Sequence, residues 1–161
     1  MRLPITLTVD GARTTVDVEP RETLADVLRD RLGHYGVRVA CGEGHCGACT
    51  IQLDGATARA CTLLAVQADG GEIRTVEGMA PPGAPLAPLQ AAFVAEHALQ
   101  CGFCTAGMMM SAEELLRERP QASDEEIRAG LAGNLCRCTG YQGIVRAVRR
   151  ARDEANEGDA T

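Results

Sequence analysis

Aromatic side chains are scarce in this chain of 161 residues, which has no Trp, two Tyr and two Phe. Its apolar cores must therefore be built mainly from Leu, Val, Ile, Ala and Met. A chain of this length fits either one ordinary domain or two small ones. Small aliphatic cores often need an additional stabilising element, and a bound metal centre can supply it.

Clusters of basic residues and long apolar runs are also missing. Sixteen basic residues against 22 acidic residues give a formal charge of -6, and no Lys/Arg run offers a surface for nucleic acid, so no nucleic-acid partner is expected. No apolar stretch approaches the length of a membrane span. The first eleven residues alternate apolar and polar side chains, unlike a secretory signal. These features predict a cytoplasmic protein without a membrane span.

Cysteine, by contrast, is abundant, with eight residues. In a reducing compartment cysteines bind metal more often than they pair, so we favour metal sites over a disulfide framework. The segment from Cys41 to Thr50 reads CGEGHCGACT. Four cysteines lie in this segment or shortly after it, and we call them the first quartet: Cys41, Cys46, Cys49 and Cys61.

The spacing of the first quartet, CxxxxCxxC followed by a distant cysteine, is that of a plant-type [2Fe-2S] cluster. Structural zinc is the alternative, although zinc sites usually contain paired CxxC or CxC motifs. Gly42, Gly44 and Gly47 also spell GxGxxG, but the dinucleotide-binding motif must follow a strand and open a helix. Here a predicted helix precedes the glycines, which therefore indicate a tight metal-binding loop.

The remaining cysteines form a CxxC pair and a CxC pair, and we call them the second quartet: Cys101, Cys104, Cys136 and Cys138. Their spacing by itself is compatible with zinc and with an iron–sulfur cluster. Both pairs lie where predicted helices begin or end. We therefore expect the second site between helix ends.

Residues 1–78 are predicted to form an α+β domain of the β-grasp type. Two stretches of alternating apolar residues flank Asp10-Gly11, a dipeptide typical of hairpin turns. Thr23 with Asp26 predicts the capped start of a helix that ends near Gly33. Later strands are expected at residues 50–53, within 56–64 and at 72–76.

Residues 79–88 are rich in proline and are predicted to be a linker. Residues 89–161 then have helical periodicity, and we predict a four-helix bundle. Two capping boxes are expected to open helices, one at Ser123 with Glu126 and one at Thr139 with Gln142. The polar residues from about Arg152 onward are predicted to be a frayed tail.

Taken together, these segments resemble the small iron–sulfur subunit of the molybdenum hydroxylases, the family of xanthine dehydrogenase, aldehyde oxidoreductase and carbon monoxide dehydrogenase. The resemblance covers both predicted domains in the family's order. The matching text is CGEGHCGACT with the later Cys61, QCGFCTAGM at residues 100–108, and GNLCRCTGY at residues 133–141.

The resemblance implies a plant-type ferredoxin domain of β-grasp fold followed by a four-helix-bundle domain, each holding one [2Fe-2S] cluster. It further implies that Cys138 is the cluster ligand next to a molybdopterin on a partner subunit. Gln100 matches a residue that touches this pterin. A purely structural role for Gln100, as a polar residue at an interface, is the alternative.

As for partners, the resemblance implies a large subunit that binds molybdopterin, in its cytosine dinucleotide form, and a medium subunit that binds FAD. The expected assembly is a dimer of heterotrimers. The chain would relay electrons from the molybdopterin site through both clusters to FAD or another acceptor. It would contribute no catalytic residue, because the substrate chemistry belongs to the cofactor of the partner.

Two other functions stay open on the sequence. One is a free-standing [2Fe-2S] carrier, which would not need a second cluster domain or Gln100. The other is a zinc-stabilised interaction module without a redox role. Iron content and colour distinguish these alternatives.

Overall fold

The computed structural model describes residues 1–80 and 82–158. Among these residues, five strands lie in the N-terminal half: β1 Leu3–Val9, β2 Ala12–Val18, β3 Thr50–Leu53, β4 Ala56–Arg59 and β5 Glu72–Arg74. They form one mixed sheet in the order β2-β1-β5-β3-β4. β1 runs parallel to β5, and the other neighbouring strands are antiparallel.

The predicted N-terminal hairpin is confirmed. β1 and β2 pair from Leu3 opposite Val18 to Val9 opposite Ala12. Asp10 and Gly11 connect them with φ angles of 48° and 82°, the positive values that a two-residue hairpin turn of type I′ requires. The turn therefore sets a register in which apolar residues of β1 face the core.

The first helix packs on this sheet, and its predicted start is confirmed. It begins as α1 Leu24–Asp26 and continues as a π-helical turn, Val27–Arg31. Thr23 Oγ1 accepts a hydrogen bond from the Asp26 N–H at 3.1 Å, and the Thr23 N–H donates to the Asp26 carboxylate at 3.3 Å. This capping box orients the helix so that its apolar face is buried against the sheet.

The last strand is shorter than predicted. β5 ends at Arg74, because the next backbone N–H, that of Thr75, donates to the Asp10 carboxylate at 2.8 Å instead of to a neighbouring strand. A 3-10 turn, Val76–Met79, follows. Another short 3-10 turn, Ala65–Ala68, precedes β5.

In its described residues, the C-terminal half contains four helices, as predicted: α2 Pro88–Ala95, α3 Thr105–Glu118, α4 Asp124–Gly130 and α5 Gln142–Gly158. The capping box at the start of α4 is confirmed, since the Ser123 hydroxyl accepts from the Glu126 N–H at 3.3 Å. The helices enclose their own apolar core, to which Phe93, Met108 and Ile144 contribute fully buried side chains.

Two predictions for the C-terminal half are wrong. α5 begins at Gln142, so Thr139 is not the N-cap of this helix. The Thr139 hydroxyl contacts the Cys136 sulfur instead. The helix also continues to Gly158 rather than fraying from about Arg152. It is held because Arg152 Nη1 donates to the Ala122 carbonyl at 2.5 Å and Asn156 Nδ2 to the Pro120 carbonyl at 3.0 Å. Residues 159–161 of the predicted tail lie outside the described residues.

The sheet and the helices have separate apolar cores. We retain domain limits of 1–78 and 89–161 with a linker at 79–88 as a proposal; position 81 lies outside the described residues. Met79, at the start of this linker, is buried in the helical core. Within the described part of the chain, none of the helices combines the length and the apolar character needed to cross a membrane.

Polar contacts join α3 to the edge of the sheet. Thr57 donates from its N–H and its hydroxyl to the Glu114 carboxylate, at 2.6 and 2.5 Å. Arg74 and Glu113 form an ion pair at 2.8 Å. α3 also approaches the first cysteine loop so closely that a Cβ at Gly107 would overlap the Gly47 carbonyl oxygen. This packing brings the two cysteine-bearing regions side by side.

Candidate metal centres

The cysteines of each predicted quartet lie close enough to interact: Cys49 with Cys61 and Cys46 in the first, and Cys104 with Cys136 and Cys101 in the second. The loop of the first quartet turns at Gly42, Gly44 and Gly47, with φ angles of 70°, 81° and 75°. Side chains with a Cβ rarely adopt such angles. The glycines therefore let the loop wrap around one point and direct backbone N–H groups inward.

Burial divides the first quartet into two pairs. Cys49 and Cys61 are 1% and 7% exposed, whereas Cys41 and Cys46 are half-buried. Burial raises the pKa of Cys49 to about 11. Hydrogen bonds from backbone N–H groups, first that of Glu43 and then that of Cys46, lower the pKa of Cys41 to about 6. These donors are placed for a negatively charged sulfur, the form in which cysteine binds metal.

The second quartet lies where the segment before α3 meets the segment before α5. Cys101 and Cys138 are exposed, and their Sγ atoms lie 3.6 Å apart. Cys104, at the start of α3, is half-buried, and burial raises its pKa to about 12. A hydrogen bond from the Phe103 N–H lowers the pKa of Cys101. The sulfurs border a pocket of about 170 Å³ whose rim includes the side chains of Phe103 and Leu135.

Cys136 has hydrogen-bond partners at both its backbone N–H and its sulfur. Its own N–H donates to the Tyr141 hydroxyl at 2.8 Å, and that hydroxyl donates to the Asn134 carbonyl at 3.4 Å. Burial opposes the charged thiolate, but hydrogen bonds from the hydroxyl and N–H of Thr139 and from the Cys138 N–H outweigh it, so the pKa of Cys136 is lowered. The sequence analysis did not predict that Thr139 and Tyr141 contact Cys136. Their positions directly after the CxC motif could have indicated it.

The donor set of both groups fits an iron–sulfur cluster. The four cysteines of the second quartet line one pocket, and those of the first quartet interact with one another. Iron–sulfur clusters are held by four cysteine thiolates. The 3.6 Å between the Cys101 and Cys138 sulfurs is far beyond a disulfide bond of about 2.05 Å. N–H donors already point at sulfur, as between Cys46 and Cys41 Sγ at 3.4 Å. These features favour metal-bound thiolates over disulfides.

Gln100 and Cys138, the two residues matched to a pterin contact, lie together on the surface. Gln100 Nε2 donates to the Cys138 carbonyl at 3.1 Å, and both residues are exposed. The amide thus fixes the backbone at one ligand of the second quartet. Its remaining hydrogen-bonding groups are accessible to a partner molecule.

One backbone hydrogen bond connects the loop of the first quartet to the segment that carries Cys136. The Leu135 N–H, one residue before Cys136, donates to the Cys46 carbonyl at 2.8 Å. Beside it lies Asn134, which is 2% exposed. Its Nδ2 donates to the Gly47 carbonyl at 3.1 Å, and its Oδ1 accepts from the Ser111 hydroxyl at 2.8 Å. Sequence reasoning missed Asn134, because nothing in its neighbours distinguishes a buried amide from a surface one.

Two known families match the chain, one for each half. The family "2Fe-2S iron-sulfur cluster binding domain" matches residues 7–74. The family "[2Fe-2S] binding domain" matches residues 75–149. The first range contains the first quartet and the second range contains the second quartet. Each half of the chain is therefore a [2Fe-2S] binding domain.

Relatives resemble the chain over nearly its whole length. It is 56% identical over 147 residues to the nicotine 6-hydroxylase small subunit of Paenarthrobacter nicotinovorans, covering 91% of this chain and 88% of that protein. It is 51% identical over 148 residues to the gamma subunit of caffeine dehydrogenase from Pseudomonas sp. (strain CBB1), covering 90% and 88%. The crystal structure of quinoline 2-oxidoreductase from Pseudomonas putida 86 matches with a TM-score of 0.92 and 46% identity, covering 98% of both chains.

Proposed function

Because the chain belongs to the family of small iron–sulfur subunits of the molybdenum hydroxylases, we propose that its two quartets bind [2Fe-2S] clusters that carry electrons from a molybdopterin to a flavin. The chain is the electron-transfer subunit of an oxidoreductase complex whose catalytic site lies on a partner subunit. Each cluster takes up and releases one electron at a time. The ligands are the eight cysteines of the two quartets.

The observation that carries this proposal is the direct link between the quartets. From Cys46, the path runs through its carbonyl group and one hydrogen bond of 2.8 Å to the Leu135 N–H, and then along the backbone to Cys136. A free-standing carrier with one cluster would have no use for such a link. Two zinc sites would not need it either, since zinc has no redox chemistry.

The family suggests a direction of electron flow, and the surfaces of the two quartets are compatible with it. Cys101 and Cys138 are exposed beside Gln100, so the second quartet is accessible to a pterin on a large subunit. In the first quartet, Cys41 and Cys46 are half-buried and the loop residues Gly42, Glu43 and His45 are exposed, so this loop is also accessible to a partner. We propose that electrons enter at the second quartet and leave at the first.

The finer parts of the assembly are proposed by analogy with the family. We propose a large subunit that binds molybdopterin cytosine dinucleotide against Gln100, and a medium subunit that binds FAD near the first quartet. Two such heterotrimers would form a dimer. We also propose a cytoplasmic location, where cysteines stay reduced and available to bind clusters. The relatives are named for nicotine, caffeine and quinoline, which supports a nitrogen heterocycle as the substrate of the complex.

The test is to purify the chain with its native partners and to measure iron, zinc, molybdenum and flavin. We expect about four irons per small subunit and two distinct [2Fe-2S] signals in electron paramagnetic resonance (EPR). A panel of nitrogen heterocycles and aldehydes is then screened for bleaching of the clusters. A colourless chain with stoichiometric zinc would contradict the proposal. Iron without a molybdenum partner would favour a free-standing carrier.

A further inference from the structure

Thr139 is placed to hydrogen-bond a ligand of the second quartet. Its Oγ1 lies 3.0 Å from the Cys136 Sγ, and its N–H donates to the same sulfur at 3.5 Å. Metal-bound cysteine is a thiolate and has no proton to donate. With a cluster bound, the Thr139 hydroxyl must therefore be the donor in this contact.

The orientation of that hydroxyl is fixed by the turn that follows. The Tyr141 N–H donates to Thr139 Oγ1 at 3.2 Å and so uses one lone pair of this oxygen. The backbone of Tyr141 has a φ of 67°, which a residue with a side chain adopts only when its surroundings hold it there. The Tyr141 side chain provides this hold, because its hydroxyl accepts from the Cys136 N–H at 2.8 Å. The Thr139 proton is thus left to point at the sulfur.

We propose that the hydroxyl of Thr139 raises the reduction potential of the second cluster by donating a hydrogen bond to the Cys136 thiolate. This inference rests on the proposed function, since it needs a [2Fe-2S] cluster at the second quartet. Reduction adds one negative charge to the cluster and its thiolates. A donor at sulfur therefore stabilises the reduced state more than the oxidised one, as hydrogen bonds to sulfur do in iron–sulfur proteins.

The effect is specific to one centre. In the first quartet, the donors at the Cys41 sulfur are backbone N–H groups, from Glu43, Cys46 and His45, together with the Cys46 thiol. Thr62, which follows the ligand Cys61 as Thr139 follows Cys138, instead donates its hydroxyl to the Arg59 carbonyl at 3.0 Å. A substitution at Thr139 should therefore move the potential of the second cluster and leave that of the first.

The experiment is an EPR-monitored redox titration, with dithionite and mediators, of the assembled complex. Thr139→Val keeps the shape of the side chain and removes the hydroxyl, which is both the donor to the Cys136 sulfur and the acceptor of the Tyr141 N–H. At a fixed solution potential we expect the reduced-to-oxidised ratio of the second cluster to fall roughly tenfold, which equals about 59 mV for one electron. Thr139→Ser keeps the hydroxyl and should retain the wild-type midpoint. Thr62→Val is the matched control and should change neither midpoint.

Iron content, measured in every variant, separates the possible failures. An unchanged midpoint in Thr139→Val with both clusters present overturns the inference and leaves the proposed function intact. If Thr139→Val loses its second cluster, Thr139→Ser is compared with Thr139→Ala, which differ by the hydroxyl alone. Equal midpoints in that pair also overturn the inference. A second-quartet signal missing from the wild-type complex would instead overturn the proposed function.

Discussion

The first quartet is held largely by one short loop, whereas the second joins two segments that are far apart in the chain. Three glycines with positive φ shape the first loop, and its donors to sulfur are backbone groups. The second site depends on helix packing and on the side chains of Thr139 and Tyr141. Local sequence can shape most of the first site, but the second site exists only when the helical domain has folded.

The largest effect is expected for Cys138→Ala, which tests whether the second quartet is the point of electron entry. Loss of this ligand should abolish or strongly slow reduction of the complex by substrate, while the first cluster stays assembled. Iron should fall to about half, and one EPR signal should remain. Cys41→Ala is the matching variant in the first quartet and should remove the other signal. Unchanged turnover in Cys138→Ala would contradict the assignment of the entry side.

The next variant, Gly107→Ala, tests the close packing of α3 against the loop of the first quartet. Its Cβ would overlap the Gly47 carbonyl oxygen, so the backbone of α3 or of the first loop must move. We expect the free energy of unfolding to fall by about 1 to 3 kcal/mol, measured by denaturant titration of the holo-protein. Electron exchange between the clusters should slow as well. Gly158→Ala, where a Cβ meets nothing within 4 Å, is the control.

Asn134→Leu removes the buried amide at the junction between the quartets. The Ser111 hydroxyl would lose its partner in a dry environment, and the Gly47 carbonyl would keep only its hydrogen bonds from Thr50. Leaving such groups unsatisfied costs about 1 to 3 kcal/mol. The measurement is thermal unfolding together with iron retention. If stability and both EPR signals match the wild type, the junction is less important than the geometry indicates.

The smallest of these effects is expected for Gln100→Ala. Residues that support a cofactor ligand typically contribute ten- to a hundredfold to activity, and we expect about a tenfold slower reduction of the second cluster by substrate. Cluster content and reduction by dithionite should be unchanged, because Gln100 contacts the backbone carbonyl of Cys138 and not a sulfur. A wild-type rate in this variant would favour the purely structural role.

Much of the fold was predictable because it depends on local signals. The Asp10-Gly11 turn set the register of the hairpin, and Thr23 and Ser123 marked the starts of two helices. The same kind of signal failed at Thr139. A threonine three residues before a glutamine is typical of a capping box, but here the hydroxyl contacts a sulfur that local sequence could not place.

By itself, the sequence determined the eight cysteines as candidate ligands, their division into two quartets, and the order of a sheet domain and a helical domain. Spacing along the chain carries this information, because a tight loop or a helix end constrains only nearby residues. The tertiary structure alone decided the hydrogen bond from Leu135 to Cys46, the burial of Asn134 and the contact of Thr139 with Cys136. Each of these depends on how separate segments pack, and no local pattern encodes that packing.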